Sequence, residues 1–296
     1  MRFIEKFNMV NFLKYRWLYF LISATVILSG IFSILRWGYI YSIDFVGGTE
    51  LLYQADKPVS VSQVQGSLQK DSISTIQVSV KGSEISIRSK VIDEKKETQV
   101  KQNLEKDLGV KLTILSSQTV GPVLGKETLN KTYIASLAAI LGILLYMSFA
   151  FKGFNFALSA IIALLHDFLV VVGSYSLLSH FFGAEVDTLF VTAVLTTMSF
   201  SVHDTIIIFD KVREYLRTEG KGNMQYYINR ALTQTLVRSL NNSMTTIFIL
   251  LALALVGGST IRLFIITLLI GTITGTYSSP FVATPALVWL EKRKNK

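Results

Sequence analysis

The chain has 296 residues, half of them apolar, no cysteine and a formal net charge of +9. The lack of cysteine excludes disulfides, thiolate metal sites and a cysteine nucleophile. A basic balance often marks a nucleic-acid partner, but here the apolar residues gather in long uncharged runs with the cations at their ends, so the partner is a membrane and no nucleic acid is expected.

Arg2, Lys6, Lys14 and Arg16 lead into an uncharged run over residues 17–35. A helix of about 20 such residues crosses a hydrocarbon core. Residues 17–40 are therefore predicted as a first span behind a tail of residues 1–16. The run is too long for a signal-peptide core and no small-residue cleavage site follows it, so it is expected to stay as an anchor.

Residues 41–131 are polar, with acids and bases nearly balanced. A strand is predicted at 49–54 and a helix at 60–70, with Ser60 as cap and Val61, Val64 and Leu68 at helical spacing. Residues 75–81 and 84–90 alternate apolar and polar around the turn Lys81-Gly82-Ser83, as a hairpin does. A charged helix at 93–108 places Val100, Leu104 and Leu108 on one face, and its charged side reads as solvated. A last strand is predicted at 111–116. The order β-α-β-β-α-β predicts a ferredoxin-like α+β domain.

Five more spans are predicted at 132–151, 153–180, 187–209, 239–257 and 261–290, with a loop at 210–238 and a tail at 291–296. Gly257-Gly258-Ser259 marks the turn before the last span. Ser279-Pro280 is expected to kink that span, and Gly271 and Gly275 to let a neighbouring helix approach it. The fold class is thus a membrane α-helical bundle of six transmembrane helices with one extracytoplasmic α+β domain between spans one and two.

Charge sets the orientation. Lys152, Lys211, Arg213, Arg217, Lys221, Arg230, Lys292, Arg293, Lys294 and Lys296 share a side with the N-terminal cations, against Arg36 and Arg262 on the other. By the positive-inside rule both termini are cytoplasmic.

Asp204 lies within the fourth predicted span. A carboxylate at that depth costs about 2.5–3.5 kcal/mol on insertion scales. Two readings stand: a carboxylate hydrogen-bonded between helices, and a group that transfers protons or ions, the second favoured. Desolvation favours a protonated carboxyl and a nearby cation favours an ionised one, so a moving cation would load and release a proton. Thr197, Ser201, Asp204 and Ile208 share one helical face. Arg238 precedes the fifth span, with Asn241, Asn242 and Thr245 following on one predicted polar face, at a depth that suits pairing with Asp204. Arg238 alone also reads as a snorkelling residue. His203 points about 100° away from Asp204 around the helix and is either a second relay member or a contact to another helix. His166 and Asp167, at mid-depth in the third span, are open between function and a structural polar network. Asp210 begins a boundary run in which Asp210 with Arg213, or Lys211 with Glu214, can pair across one turn.

Enzyme motifs are missing. Gly121-Pro122-Val123-Leu124-Gly125-Lys126-Glu127 lacks the spacing and the hydroxyl residue of a nucleotide-binding loop. HExxH does not occur. No catalytic residue, metal or cofactor is expected.

Asp44-Phe45-Val46-Gly47-Gly48-Thr49, after the first span, resembles the DFxGGT signature of the SecD/SecF family of protein-export membrane proteins. Thr119-Val120-Gly121-Pro122-Val123-Leu124-Gly125 resembles the stretch before that family's second span. Residues 195–214 (LTTMSFSVHDTIIIFDKVRE) resemble the span-four motif of its SecF members, and residues 231–239 their entry to span five. The likeness covers essentially the whole chain. The departures are His203, where Asn is usual, and Thr197-Met198-Ser199-Phe200, where a Gly-Tyr pair is usual.

The resemblance implies an accessory subunit of Sec-dependent protein export, related to the resistance-nodulation-division transporters. It implies a multi-pass protein of a prokaryotic plasma membrane. Its partners would be SecD, the SecYEG channel and the translocating polypeptide, with the proton motive force as drive. It assigns the proton relay to Asp204 and Arg238, and leaves sodium open as the coupling ion. Alternatives are a purely structural subunit of the channel complex, or a lipid or small-molecule exporter of the same superfamily. Asp44 is read as a local cap rather than a proton carrier, and Gly47-Gly48 as a turn that needs close backbone approach.

Overall fold

The computed structural model describes residues 11–70, 75–151, 153–220 and 222–294. Arg2, Lys6, Lys152, Lys221, Lys296 and most of the predicted N-terminal tail lie outside the described residues. The chain divides into two units, residues 41–134 and the remainder.

A two-residue strand, β1 (Ile40–Tyr41), precedes the sheet of the smaller unit. There a four-residue helix, α2 (Ile43–Val46), leads into strand β2 (Gly48–Ala55), helix α3 (Val61–Lys70), strands β3 (Thr75–Lys81) and β4 (Glu84–Ser89), helix α4 (Glu94–Leu108) and strand β5 (Leu112–Val120). The strands form one sheet in the order β3-β4-β2-β5, and every neighbouring pair is antiparallel. Strand periodicity puts Leu51, Tyr53 and Ala55 of β2 on one face. They pack with Ile85 and Ile87 and with Val64, Leu68, Val100 and Leu104 of the two helices. Helix α4 starts where the Asp93 carboxylate accepts from Lys96 N at 2.8 Å, and stops at Gly109, which takes the left-handed conformation (φ 63°) of a C-terminal cap. The last strand runs past the predicted residue 116 to Val120, because Thr119 and Val120 pair with Thr49 and Gly48.

Tyr53 is fully buried, and its hydroxyl has no hydrogen-bond partner. Burial, with Glu97 and Glu105 adding repulsion, pushes this phenol well above the ordinary tyrosine range. The folded chain then keeps a proton that the unfolded chain loses above about pH 10, so stability falls as pH rises through that value. Tyr53→Phe removes an unsatisfied donor, for a gain of about 1 kcal/mol, and should also remove that alkaline loss. Hydrogen exchange of β2 in the whole chain, followed against pH, checks both. An unchanged alkaline limb in the variant would contradict the assignment to Tyr53.

The larger unit holds α1 (Arg16–Trp37), the greater part of α5 (Pro122–Ala150), and α6 (Phe154–Phe182), α7 (Thr188–Thr218), α8 (Met224–Val256), α9 (Ser259–Ser278) and α10 (Thr284–Lys294). A π-helical turn, Ser279–Ala283, joins the last two. Proline at 280 lacks the N–H that a continuous α-helix would use, and the chain takes the wider turn there. Among the described residues, six helical stretches are long and apolar enough to cross a membrane: Phe12–Trp37, Pro122–Ala150, Phe154–Phe182, Thr188–Thr218, Met224–Val256 and Ile261–Arg293. Leu137, Leu141, Leu145 and Phe149 of α5 and Phe248, Leu255 and Val256 of α8 are exposed, apolar surface of the kind a lipid solvent accepts.

Small residues set the helix spacing. A Cβ on Gly30 of α1 would lie 2.6 Å from the Gly173 Cα of α6, so the two backbones touch, and Ser33 and Ser176 bond hydroxyl to hydroxyl at 2.8 Å nearby. Gly271 and Gly275 of α9 face Thr197 and Ser201 of α7 in the same manner.

Two predicted boundaries need correction. Residues 210–238 are not a loop: α7 continues to Thr218 and α8 begins at Met224. Val212, Tyr215, Tyr227, Ile228, Ala231 and Leu232 keep a buried face through this stretch, and the pairs Asp210–Arg213 and Lys211–Glu214 hold its surface. The second apolar helix begins at Pro122, well before residue 132, with proline at the position where its missing N–H costs nothing.

Candidate functional site

Helix α7 delivers the stripe Thr197, Ser201, Asp204 and Ile208, and all four are buried. Asp204 is only 6% exposed. Its carboxylate lies near Ser239 and Ser243 of α8, with His203 as a nearby electrostatic neighbour. Thr205, the next residue, shares a 2.8 Å hydroxyl contact with Ser279 of the π-helical turn. Phe209, one turn on, is buried against Phe151 and Phe156 with edge-on rings, which fixes the axial position of α7. Three helices therefore surround Asp204: its own, α8 at Ser239 and Ser243, and the broken last span through Thr205.

A small cleft opens beside the carboxylate. Phe200 and His203 line it from α7, Asn242, Ser243 and Thr246 from α8, and Thr272, Gly275 and Thr276 from α9. Its polar atoms are hydroxyls, one amide, one imidazole and one carboxylate. Hydroxyl and carboxylate oxygens are the partners that a proton carrier or a hard cation needs. His203, Asp204 and Asn242 thus come together at one cleft, with His203 and Asn242 on its exposed rim.

Arg238 is not brought to Asp204. It is exposed on α8, and no ion pair joins the two among the described residues. Asn241 and Thr245 are exposed as well. The inward face of α8 is Ser239, Ser243 and Leu250, about one residue's rotation from the predicted polar face. The short hydroxyl side chains allow close packing, while the longer polar ones point away. The spacing of Ser239 and Ser243, four apart, was the available signal.

Asp210 lies at the surface and pairs with Arg213 Nη2 at 3.1 Å. His166 and Asp167 of α6 bond to each other at 2.8 Å, and Ser278 of α9 bonds to the second Asp167 oxygen. Sequence spacing did not link Ser278 to them.

The DFVGGT residues gather in the smaller unit. Ser42, not Asp44, caps α2, its hydroxyl accepting from Asp44 N at 3.2 Å. Phe45 is buried. Gly47 and Gly48 both adopt positive φ, 75° and 137°. Thr49 is fully buried, bonded to the Thr119 hydroxyl at 2.8 Å and accepting from Ile92 N at 3.1 Å.

Six membrane-length apolar helices around a buried acid make this a multi-pass membrane protein with a polar centre inside its bundle. A family model described as protein export membrane protein SecD/SecF, C-terminal, matches residues 99–293, and one described as the SecD/SecF GG motif matches residues 41–59. The protein translocase subunit SecF of Thermobaculum terrenum is 40% identical over 303 residues, covering 96% of this chain and 95% of its own. SecF of Anaerolinea thermophila is 38% identical, covering 95% and 94%. The crystal structure of SecDF from Thermus thermophilus, a translocon-associated membrane protein, superposes with a TM-score of 0.83 at 29% identity over 95% of this chain. This chain spans 39% of that protein's length. The chain belongs to the SecD/SecF protein-export family, among its SecF subunits.

Proposed function

We propose that this chain is an accessory subunit of the Sec protein-export translocase, and that proton flow through the Asp204 cleft drives its working cycle. The single observation that carries the reading is a buried carboxylate within a span, beside two serines and open to a polar cleft, with no ion pair to it among the described residues. Moving one elementary charge through 100 mV releases about 2.3 kcal/mol, enough to bias a conformational equilibrium of that size.

Arg238 is the switchable companion. It precedes Ser239, which lies near the carboxylate. A partial turn of α8 and a rotamer change exchange hydroxyl for guanidinium at Asp204. The cation then favours the ionised acid, and its withdrawal favours the protonated one.

The smaller unit is a ferredoxin-like domain outside the cytoplasm. Its strand order, β3-β4-β2-β5 in an antiparallel sheet, supports the fold, and the distribution of lysine and arginine supports the side. Both termini are cytoplasmic, and the membrane is a prokaryotic plasma membrane. SecD is the partner, as the likeness to a SecDF chain suggests, with SecYEG and the exported polypeptide beyond it.

Arg238→Met should lower gradient-stimulated export in reconstituted vesicles by about tenfold, an ordinary coupling energy, while recovery of the complex with SecD is unchanged. Full stimulation in that variant removes Arg238 from the relay. Loss of complex recovery with stimulation intact would favour the structural-subunit reading.

A further inference from the structure

Asp204 is not the only buried acid of the bundle. Midway along α6, Asp167 is 3% exposed and His166 7%. His166 Nδ1 lies 2.8 Å from Asp167 Oδ1, and the Ser278 hydroxyl donates to Asp167 Oδ2 at 2.6 Å. Both carboxylate oxygens are engaged. The remaining ring nitrogen, His166 Nε2, is buried without a hydrogen-bond partner. Leaving such an atom unsatisfied costs about 1–3 kcal/mol. An Asn or Gln pair would join these helices without an unsatisfied ring nitrogen.

The proton inventory gives that atom a use. With one ring proton, Nδ1–H donates to an ionised carboxylate, the dyad carries one negative charge, and Nε2 is a bare acceptor. With a second proton the dyad is neutral overall, an imidazolium beside a carboxylate. Nδ1 and both carboxylate oxygens are occupied by each other and by Ser278, so Nε2 is the atom left to take up or give back the proton. Imidazole is also the side chain whose charge ordinarily changes between about pH 5 and 8.

We propose that the His166–Asp167 dyad, tied to the broken last span through Ser278, is a second proton-binding site, loaded and unloaded at His166 Nε2.

The surroundings leave the dyad as the charge centre on this side of the bundle. From α9, Tyr277 has its ring 6.2 Å from the imidazole, and its hydroxyl donates to Tyr19 O of α1 at 2.8 Å. Ser23 of α1, beside the same hydroxyl, is neutral. From α7, Asp204 lies near Ser239 and Ser243 of α8 and neighbours His203. From α10, Glu291 accepts from Asn155, about three turns before His166 on α6. The π-helical turn contributes the Ser279 hydroxyl. No lysine or arginine forms an ion pair with the dyad among the described residues. Ser278 and Ser279 are consecutive, one bonded to Asp167 and the other to Thr205 beside Asp204, so the two acids share one break in one helix.

The chain has three histidines, which makes the test direct: imidazole nitrogen resonances of the whole ¹⁵N-histidine-labelled chain in lipid nanodiscs, assigned with His166→Gln and followed against pH. His166 should titrate. Asp167→Asn should lower its midpoint by about one pH unit, a tenfold loss of proton affinity, because the imidazolium loses its counter-charge. Ser278→Ala should raise the midpoint, because the carboxylate loses a donor that satisfied it. If Asp167→Asn does not fold, Ser278→Ala decides alone. A His166 that keeps one protonation state from about pH 5 to 9, or a midpoint unmoved by the substitutions, overturns the proposal. No export is measured, so this result and the Asp204 reading stand or fall separately.

Discussion

Asp204→Asn is expected to abolish gradient-driven export while leaving the protein folded and bound to its partner. Asparagine keeps the size of the side chain and offers a donor and an acceptor to the Ser239 and Ser243 hydroxyls near it. What it loses is the ability to bind and release a proton. The cost of holding a carboxylate inside a span, about 2.5–3.5 kcal/mol, is removed as well, so the variant should be at least as stable as the parent. Stability and activity therefore move in opposite directions, which a packing defect cannot produce. Asp210→Asn is the matched control: that carboxylate lies at the surface and pairs with Arg213, an exposed contact worth about 1 kcal/mol or less, and export should persist. The measurement is export into inverted vesicles with and without an imposed proton gradient, alongside thermal unfolding of the complex. Full gradient stimulation in Asp204→Asn would remove the acid from the mechanism.

The elements that carry the site were legible where one physical signal dominated. Uncharged runs near 20 residues mark helices that must satisfy their backbone internally, and a lone acid inside such a run stands out by its cost. Asp204, its stripe with Thr197 and Ser201, and the approach of Gly271 and Gly275 all follow from helical spacing. The helical extensions of α7 to Thr218 and of α8 from Met224 are masked in the sequence by their charge. Past the membrane surface a helix stays amphipathic, and Val212, Tyr215, Tyr227 and Ala231 continue the buried face while i,i+3 ion pairs cover the other. The inward face of α8 was misjudged for a related reason. Polarity drew attention to Arg238, Asn241 and Thr245, but close packing selects small side chains, and Ser239 and Ser243 are both small and polar. The Ser278 contact to Asp167 had no sequence signal, since it joins residues 111 apart across a turn whose geometry only the fold defines.

The glycine pair of DFVGGT yields the second large effect, on stability. Gly47 holds φ at 75°, and a Cβ there would lie 2.7 Å from Pro122 Cα and 2.9 Å from Pro122 N. Those are backbone atoms at the N-terminus of α5, and they cannot swing aside as a side chain would. Gly125 closes the contact from the other direction: its Cβ would lie 2.8 Å from Gly47 N and 3.1 Å from Phe45 O. The two glycine motifs, far apart in sequence, are one interlock where β2 begins and β5 hands over to α5, with Thr49 and Thr119 bonded beside it. In Gly47→Ala the left-handed backbone costs about 1–2 kcal/mol and the collision about 1–3 more. The expected loss is about 2–5 kcal/mol. Gly82 supplies the contrast, since its φ is 66° but nothing lies within 4 Å of its would-be Cβ; Gly82→Ala should cost about 1 kcal/mol, from conformation alone. Hydrogen exchange across β2 and β5 of the whole chain reads both, with protection expected to fall about 30-fold or more in Gly47→Ala and several-fold in Gly82→Ala. Gly125→Ala added to Gly47→Ala should cost less than the two apart, because one opened contact relieves both collisions. Equal effects at residues 47 and 82, or strict additivity of 47 with 125, would mean that the two motifs fold without touching.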